Sequence, residues 1–174
     1  MKKLSTNEDV MLREFREEDA SLLAKYADNE KVSMNLRDGF PKPYTLEQAK
    51  AFIGKAKTLQ PQTIFAIEYM GQYVGNISLS VCSDIYRKSA EIGYFIAEPF
   101  WNKGIATKAV KLITDFGFKH LDIVRIHTGV FNFNIASQKV LEKCGFTKEG
   151  VFEKALYREG QFYNEIRYAK IKTH

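Results

Sequence analysis

The chain is poor in the residues that build covalent or metal-held scaffolds. Among 174 residues there are two cysteines, Cys82 and Cys144, and three histidines. Neither cysteine has a CxxC partner and each lies in an apolar run, so a disulfide framework is excluded and buried free thiols are expected. His120, His127 and His174 are scattered, and no pair stands at metal-ligand spacing, so no metal is expected. No stretch approaches the roughly 18 apolar residues of a membrane span. The first ten residues carry two lysines but no apolar run behind them, so a soluble cytoplasmic protein without a membrane partner is expected. Two familiar phosphate loops are missing, GxxxxGK[ST] and GxGxxG, which removes the main support for kinases and dinucleotide dehydrogenases. Ser80 and Ser83 have no histidine or aspartate context for a hydrolase triad. Charge of one sign is also scarce: 26 Lys and Arg against 21 Asp and Glu give only +5. These residues do not cluster with aromatics, so no direct DNA binding is expected; the mild excess favours anionic ligands by field alone.

What is present is a core. Hydrophobic residues make up 45% of the chain, with 13 Phe and 9 Tyr. That suits one domain over residues 1–174. Residues 10–15 read as a strand, and acids at 17–19 open a helix to about Tyr26. The stretch 35–45 holds one Gly and two Pro and reads as a loop. Thr45 and Gln48 form a capping box for the helical pattern that follows. Residues 63–69 and 73–81 read as a hairpin turning at Met70-Gly71-Gln72. Residues 90–97 form the fourth strand, ended by Pro99. A long helix runs to about His120, residues 123–130 are the fifth strand, and 134–143 a further helix with Gly145 just past its end. Two strands, 151–157 and 162–171, close the order β-α-α-β-β-β-α-β-α-β-β. This is an α/β chain with a mixed, mostly antiparallel sheet and helices on both faces.

One junction carries chemistry. The fourth strand is followed at once by FWNKGIATKA, with Gly104 at the start of the long helix. Unpaired N–H groups at a helix start attract anions, and a glycine lets the backbone come close. Lys103 and Lys108 add positive potential. A glycine at such a junction is also common as plain structure.

The context is more specific. AEIGYFIA, the turn EPFWNKGIAT, a helix, IVRIHTGV and then FNFNIASQKVLEKCGFTKEG follow in fixed order. Together with LREFREEDA and DGFPKPYTLEQA, they make the chain resemble the GNAT superfamily of acetyl-coenzyme A-dependent N-acetyltransferases over nearly its whole length. It looks most like the branch of the ribosomal-protein alanine N-acetyltransferases. The family's pyrophosphate loop reads Gln/Arg-x-x-Gly-x-Gly/Ala. Gly104-Ile105-Ala106 supplies its second half, Trp101 stands where Gln or Arg is usual, and Asn102 departs from a frequent glycine.

The resemblance implies acetyl-CoA as cofactor, with its pyrophosphate on the amides of Asn102, Lys103, Gly104, Ile105, Ala106 and Thr107. It implies a GNAT-like sheet splayed between the fourth and fifth strands. The splay admits the pantetheine arm, held by backbone near Phe95, Ile96 and Ala97, where one N–H meets the oxyanion. Asn134 of the N-x-x-S match holds the cofactor, or is an N-cap, or both. Ser137 is the candidate proton donor to the thiolate, or a helix residue bonding its own backbone. Leu141 occupies the position where many relatives carry a tyrosine, so that version of the mechanism is absent. Glu91 is the candidate base through water, or a strand-surface glutamate in an ion pair; Tyr94 is a lesser candidate. Asn35, Phe40, Tyr44, Tyr157, Phe162 and Tyr163 are candidates for lining an acceptor slot, or for edge packing. The acceptor is a primary amine: a protein N-terminus first, then a polyamine or an antibiotic-like small amine. A non-catalytic acetyl-CoA-binding module is the alternative. The chain is expected as a monomer or homodimer.

Overall fold

The computed structural model describes residues 3–5 and 9–173. Eight strands form one continuous sheet: β1 (Lys3–Ser5), β2 (Val10–Arg13), β3 (Ile64–Tyr69), β4 (Gln72–Val81), β5 (Ser89–Ile96), β6 (Arg125–Phe131), β7 (Thr147–Arg158) and β8 (Gln161–Ile171). Their order is β1-β2-β3-β4-β5-β6-β8-β7. Every neighbouring pair is antiparallel except β5–β6. Among the described residues there are also five α-helices: α1 (Asp19–Ala27), α2 (Glu30–Ser33), α3 (Leu46–Thr58), α4 (Ile105–His120) and α5 (Ile135–Lys143). The sequence reading holds seven of these strands. It misses β1 and α2, three and four residues long, because a periodic pattern needs more residues than that.

Local chemistry explains the boundaries. Thr45 accepts from the Gln48 N–H while the Gln48 side chain accepts from the Thr45 N–H, the reciprocal cap expected of α3. The β3–β4 hairpin turns on Met70 and Gly71, both at positive φ, as a two-residue hairpin turn requires. Gly145, also at positive φ, follows the end of α5.

Alternation along the strands splits the core in two. Ile77, Leu79, Ile92 and Ile96 face α4 and join Ile105, Ile113 and Phe116 in one cluster. Tyr73 and Phe95 face the other way and join Leu23 of α1 and Ala49 and Ile53 of α3. Helices therefore cover both faces. The second layer is anchored by a buried ionic cluster. Arg13 donates to Asp19 through Nη1 (2.7 Å) and Nη2 (2.9 Å), and to Glu68 through Nε (2.5 Å). None of the three is more than 8% exposed. The cluster ties the start of α1 to β2 and β3.

The feature that positions a site is the parallel pair. β5 and β6 share a ladder only from Ser89–Glu91 against Arg125–His127. Past that point β5 stays with β4 as far as Ile96, and β6 stays with β8 as far as Phe131. The sheet opens into a cleft there, between the fourth and fifth strands of the sequence reading. Among the described residues, no helix is long and apolar enough to cross a membrane.

Candidate active site

The backbone of β5 forms one wall of the cleft, and its register decides which groups are exposed. The Ala97 N–H donates to the Val74 carbonyl, and the Ala97 carbonyl accepts from Phe100. In an antiparallel ladder the bonded pairs alternate. With Val74 opposite Ala97, the pairs Asn76–Phe95 and Ser78–Gly93 also bond across β4–β5. The backbone groups of Ile92, Tyr94 and Ile96 therefore face the β6 side. The last rung, Glu91 against His127, takes the Ile92 N–H into the ladder, and Trp101 takes the Ile96 carbonyl, which leaves both groups of Tyr94 and the Ile96 N–H for the cleft. This corrects the expected backbone set: Ile96 lines the cleft, whereas Phe95 and Ala97 spend their groups on β4 and the following turn. Parity along a strand depends on the partner's register, which no local sequence signal carries.

The turn after β5 leads into α4. Gly104 is the N-cap, at φ 74° and ψ 3°. Its carbonyl accepts from Lys108, which leaves the N–H groups of Ile105, Ala106 and Thr107 ahead of the first intrahelical bond. Asn102 sits at φ 61°. Asparagine is one of the few side chains that adopts this left-handed conformation readily, so the replacement of glycine there keeps the loop shape. Trp101 donates through Nε1 to the Ile96 carbonyl at 2.6 Å, which pins the loop to the end of β5. Lys103 lies over the Phe100 ring, 5.3 Å from its centroid. Lys108 is turned toward Asp9, at 2.7 Å, and that hydrogen bond holds the Asp9 carboxyl below its ordinary value. The donor set at the head of α4 suits a pyrophosphate: successive amides, a left-handed glycine whose added Cβ would meet nothing within 4 Å, and the positive end of a 16-residue helix.

The other wall carries α5. Asn134 caps it, its side-chain oxygen accepting from the Ser137 N–H at 3.1 Å. That puts Ser137 in the first turn, where its Oγ is 2.8 Å from the Tyr94 hydroxyl. Burial pushes the Tyr94 phenol up to about 12, with the Ser137 hydrogen bond pulling the other way. Leu141 is fully buried in the core.

Glu91 lies at the last rung of the β5–β6 ladder, opposite His127. It is odd-numbered like Phe95, so it faces the α1–α3 side, away from Tyr94. Its carboxylate is ion-paired with Arg37 of the loop before α3. The ion-pair alternative read from sequence is thus occupied, by an arginine. Burial pushes the His127 imidazole below its ordinary value, with Glu91 opposing the shift. Cys82 approaches His127 Nε2 at 3.7 Å and is only half-buried. Cys144 is buried as expected. Among the described residues, no group of three or more His, Cys, Asp and Glu side chains is placed to hold a metal ion.

The expected acceptor slot is only partly assembled. Phe40 stands over Phe95, with ring centroids 6.1 Å apart. Tyr44 is 6% exposed and belongs to the second core cluster, so its ring is core rather than lining. Asn35 turns back to donate to the Lys31 carbonyl. Tyr157 and Phe162 pair with each other near the β7–β8 turn, both well exposed. Tyr163 instead packs edge-on against Phe131 and Phe133, next to the α5 cap. The loop's anchor was missed by the sequence reading. Arg158, 9% exposed, donates through Nη1 to the carbonyls of Ser33, Met34 and Leu36 at 3.1, 2.8 and 2.8 Å. More than 120 residues of chain separate the partners, so only the folded chain reveals the clamp.

Residues 9–147 match the model of the acetyltransferase (GNAT) domain family. The chain belongs to that family. It is an acyltransferase, and the expectation from its motifs holds. The spermidine N(1)-acetyltransferase of Escherichia coli K12 is 28% identical over 91% of this chain and 83% of its own. The structure of Mycobacterium smegmatis RimJ in complex with CoA-disulfide is 25% identical, with a TM-score of 0.81 over 93% of this chain and 81% of that one. The ribosomal-protein-S5-alanine acetyltransferase of Vibrio fischeri shares the fold at a TM-score of 0.81 and 24% identity, over 98% and 97% of the two chains.

Within this acetyltransferase, the Arg158 clamp can be tested apart from the coenzyme loop. Arg158→Met is expected to cost about 2–3 kcal/mol, the weight of buried carbonyls left without a charged donor. It would appear as a lower urea midpoint with the acetyl-CoA dissociation constant unchanged. An unchanged midpoint would show that water replaces the clamp without loss.

Proposed function

We propose that the chain works as one acetyl-CoA-dependent N-acetyltransferase domain whose preferred acceptor is a protein N-terminal α-amine. The observation that carries this reading is the placement of Glu91 and Ser137. They flank the cleft from opposite faces of β5, one on the α1–α3 side and one beside α5, with the amides at the head of α4 at its end. Acetyl-CoA, when bound, supplies an activated acetyl group as a thioester.

The residues then divide the work. The amides of Gly104 to Thr107 hold the pyrophosphate charge. The cleft-facing backbone of Tyr94 and the Ile96 N–H orient the amide-bearing arm, and one of these N–H groups meets the oxyanion. Glu91 takes the ammonium proton through a water, so the neutral amine attacks from the α1–α3 side. Ser137 gives its proton to the departing sulfur on the other. An α-amine, with a pKa near ~8, is about a tenth neutral at pH 7, whereas a lysine near ~10.4 is far less so. A lone carboxylate paired with Arg37 suits the easier substrate.

A second reading, a polyamine or small-molecule amine as acceptor, is supported by the spermidine-specific relative that spans most of the chain. Calorimetric titration with acetyl-CoA, then thiol release against N-terminal peptides, polyamines and aminoglycosides, separates the readings. Release on peptides supports the first and release on spermidine alone the second. Binding without release on any acceptor would leave a silent coenzyme-binding module. For the acid, Ser137→Ala is expected to lower kcat by about a hundredfold and leave acetyl-CoA affinity within about twofold. Equal turnover would remove Ser137 from the chemistry.

A further inference from the structure

We propose that Tyr94 is a positioning residue whose hydroxyl fixes the Ser137 rotor, so that the serine proton points into the cleft. The inference rests on the reading of Ser137 as proton donor. Each of the two hydroxyls carries one proton and can also accept. The 2.8 Å contact between them uses only one of those protons. The Tyr94 ring packs against the main core, and Ser137 is the one hydrogen-bond partner of its hydroxyl among the described residues. Both residues are half-buried, and the phenol is the more acidic hydroxyl and so the stronger donor, while the serine oxygen is the better acceptor. Ser137 borders the cleft, where substrate or water accepts its proton. Tyr94 therefore donates and Ser137 accepts.

The direction is stable across the working range. Burial raises the phenol to about 12, so Tyr94 keeps its proton wherever the enzyme is folded and active. Two contacts then hold the serine. The Asn134 side chain fixes its backbone N–H at 3.1 Å, and Tyr94 fixes its oxygen. Only the hydroxyl proton is left free, and it points where a leaving sulfur must pass.

The step balances. The amine adds to the thioester carbon and the carbonyl electron pair moves to oxygen; the oxyanion then collapses, and the C–S bond breaks with its electron pair going to sulfur. Ser137 Oγ passes its proton to the sulfur while the Tyr94 hydrogen bond steadies the charge on the oxygen. Of the two protons the ammonium loses, the first leaves through Glu91 to solvent, and the second, shed once the C–N bond has formed, passes through water at the cleft mouth to restore Ser137.

Tyr94→Phe keeps the ring and removes only the hydroxyl. It is expected to lower kcat about tenfold, with the melting temperature and the acetyl-CoA dissociation constant unchanged. In a Ser137→Ala background the same change is expected to have no further effect on kcat, because Tyr94 acts only through the serine. Losses that multiply would overturn the proposal, as would a Tyr94→Phe enzyme at full turnover or one that loses coenzyme affinity in step with kcat. If Ser137→Ala is slow but Tyr94→Phe is not, this assignment alone fails. If Ser137→Ala turns over normally, the acid reading fails and takes this one with it.

Discussion

Gly104→Val is expected to weaken acetyl-CoA binding by about a thousandfold while the chain stays folded. The fold survives because an added Cβ there would meet nothing within 4 Å. What fails is the backbone. Gly104 sits at φ 74°, where a β-branched residue is an outlier and strain amounts to roughly 1–2 kcal/mol. The loop relieves that strain by rotating, and the amides at the head of α4 turn away from their target. Each hydrogen bond to a charged phosphate oxygen contributes about 1.5–3 kcal/mol, so losing two removes about 3–6 kcal/mol, near three powers of ten. Calorimetry reads this directly. Gly104→Asn is the companion variant, since asparagine tolerates the left-handed region, and it is expected to retain most of the affinity. A Val variant whose isotherm overlays that of the parent would mean that the turn at Gly104 is a strand-to-helix junction and nothing more.

The second large effect concerns stability. Arg13→Met is expected to cost about 3–5 kcal/mol, because it removes the buried guanidinium between Asp19 and Glu68 and leaves them only the half-exposed Arg16, at 3.6 Å from Glu68, and its backbone N–H on Asp19. The melting temperature would fall by about 10 °C for a domain of this size. The cost comes from charges left poorly compensated rather than from any large net value of the intact cluster. Replacing all three residues with apolar ones is therefore expected to recover much of the loss. An Arg13→Met protein within about 1 kcal/mol of the parent would show that water or protonation reaches the site easily.

The two cases differ in how legible they were. The left-handed glycine is announced locally: a strand ends at Pro99, and a glycine precedes a helical pattern three residues after the only tryptophan. The α3 capping box is legible in the same way, since Thr45 and Gln48 are three residues apart. The Arg13 cluster joins residues up to 55 positions apart, and its arginine looks like any surface residue beside a strand. Tyr94 and Ser137 are 43 positions apart, so each was a candidate but their contact was not readable. Tyr44 illustrates a different gap. It was a candidate for the slot, or for edge packing, because it is an aromatic on a loop able to reach over the sheet; in the fold its ring is buried in the second core cluster. Cys82, read as buried from its apolar run, sits just past the end of β4, where alternation no longer protects it.

The three-rung seam between β5 and β6 also has a consequence for how the enzyme comes into being. All strands on one side of it, β1 to β5, come from residues before 97, and all strands on the other, β6 to β8, come from residues after 124. The break in the sheet is thus also a break in the order of synthesis. Glu91 and Tyr94 belong to the earlier part, and Asn134 and Ser137 to the later. A ribosome that has made only the first part has made the proposed base, Glu91, with neither the loop that opens α4 nor the proposed acid, Ser137. The proposed centre is therefore complete only when the second part is paired with the first across a seam three residues wide.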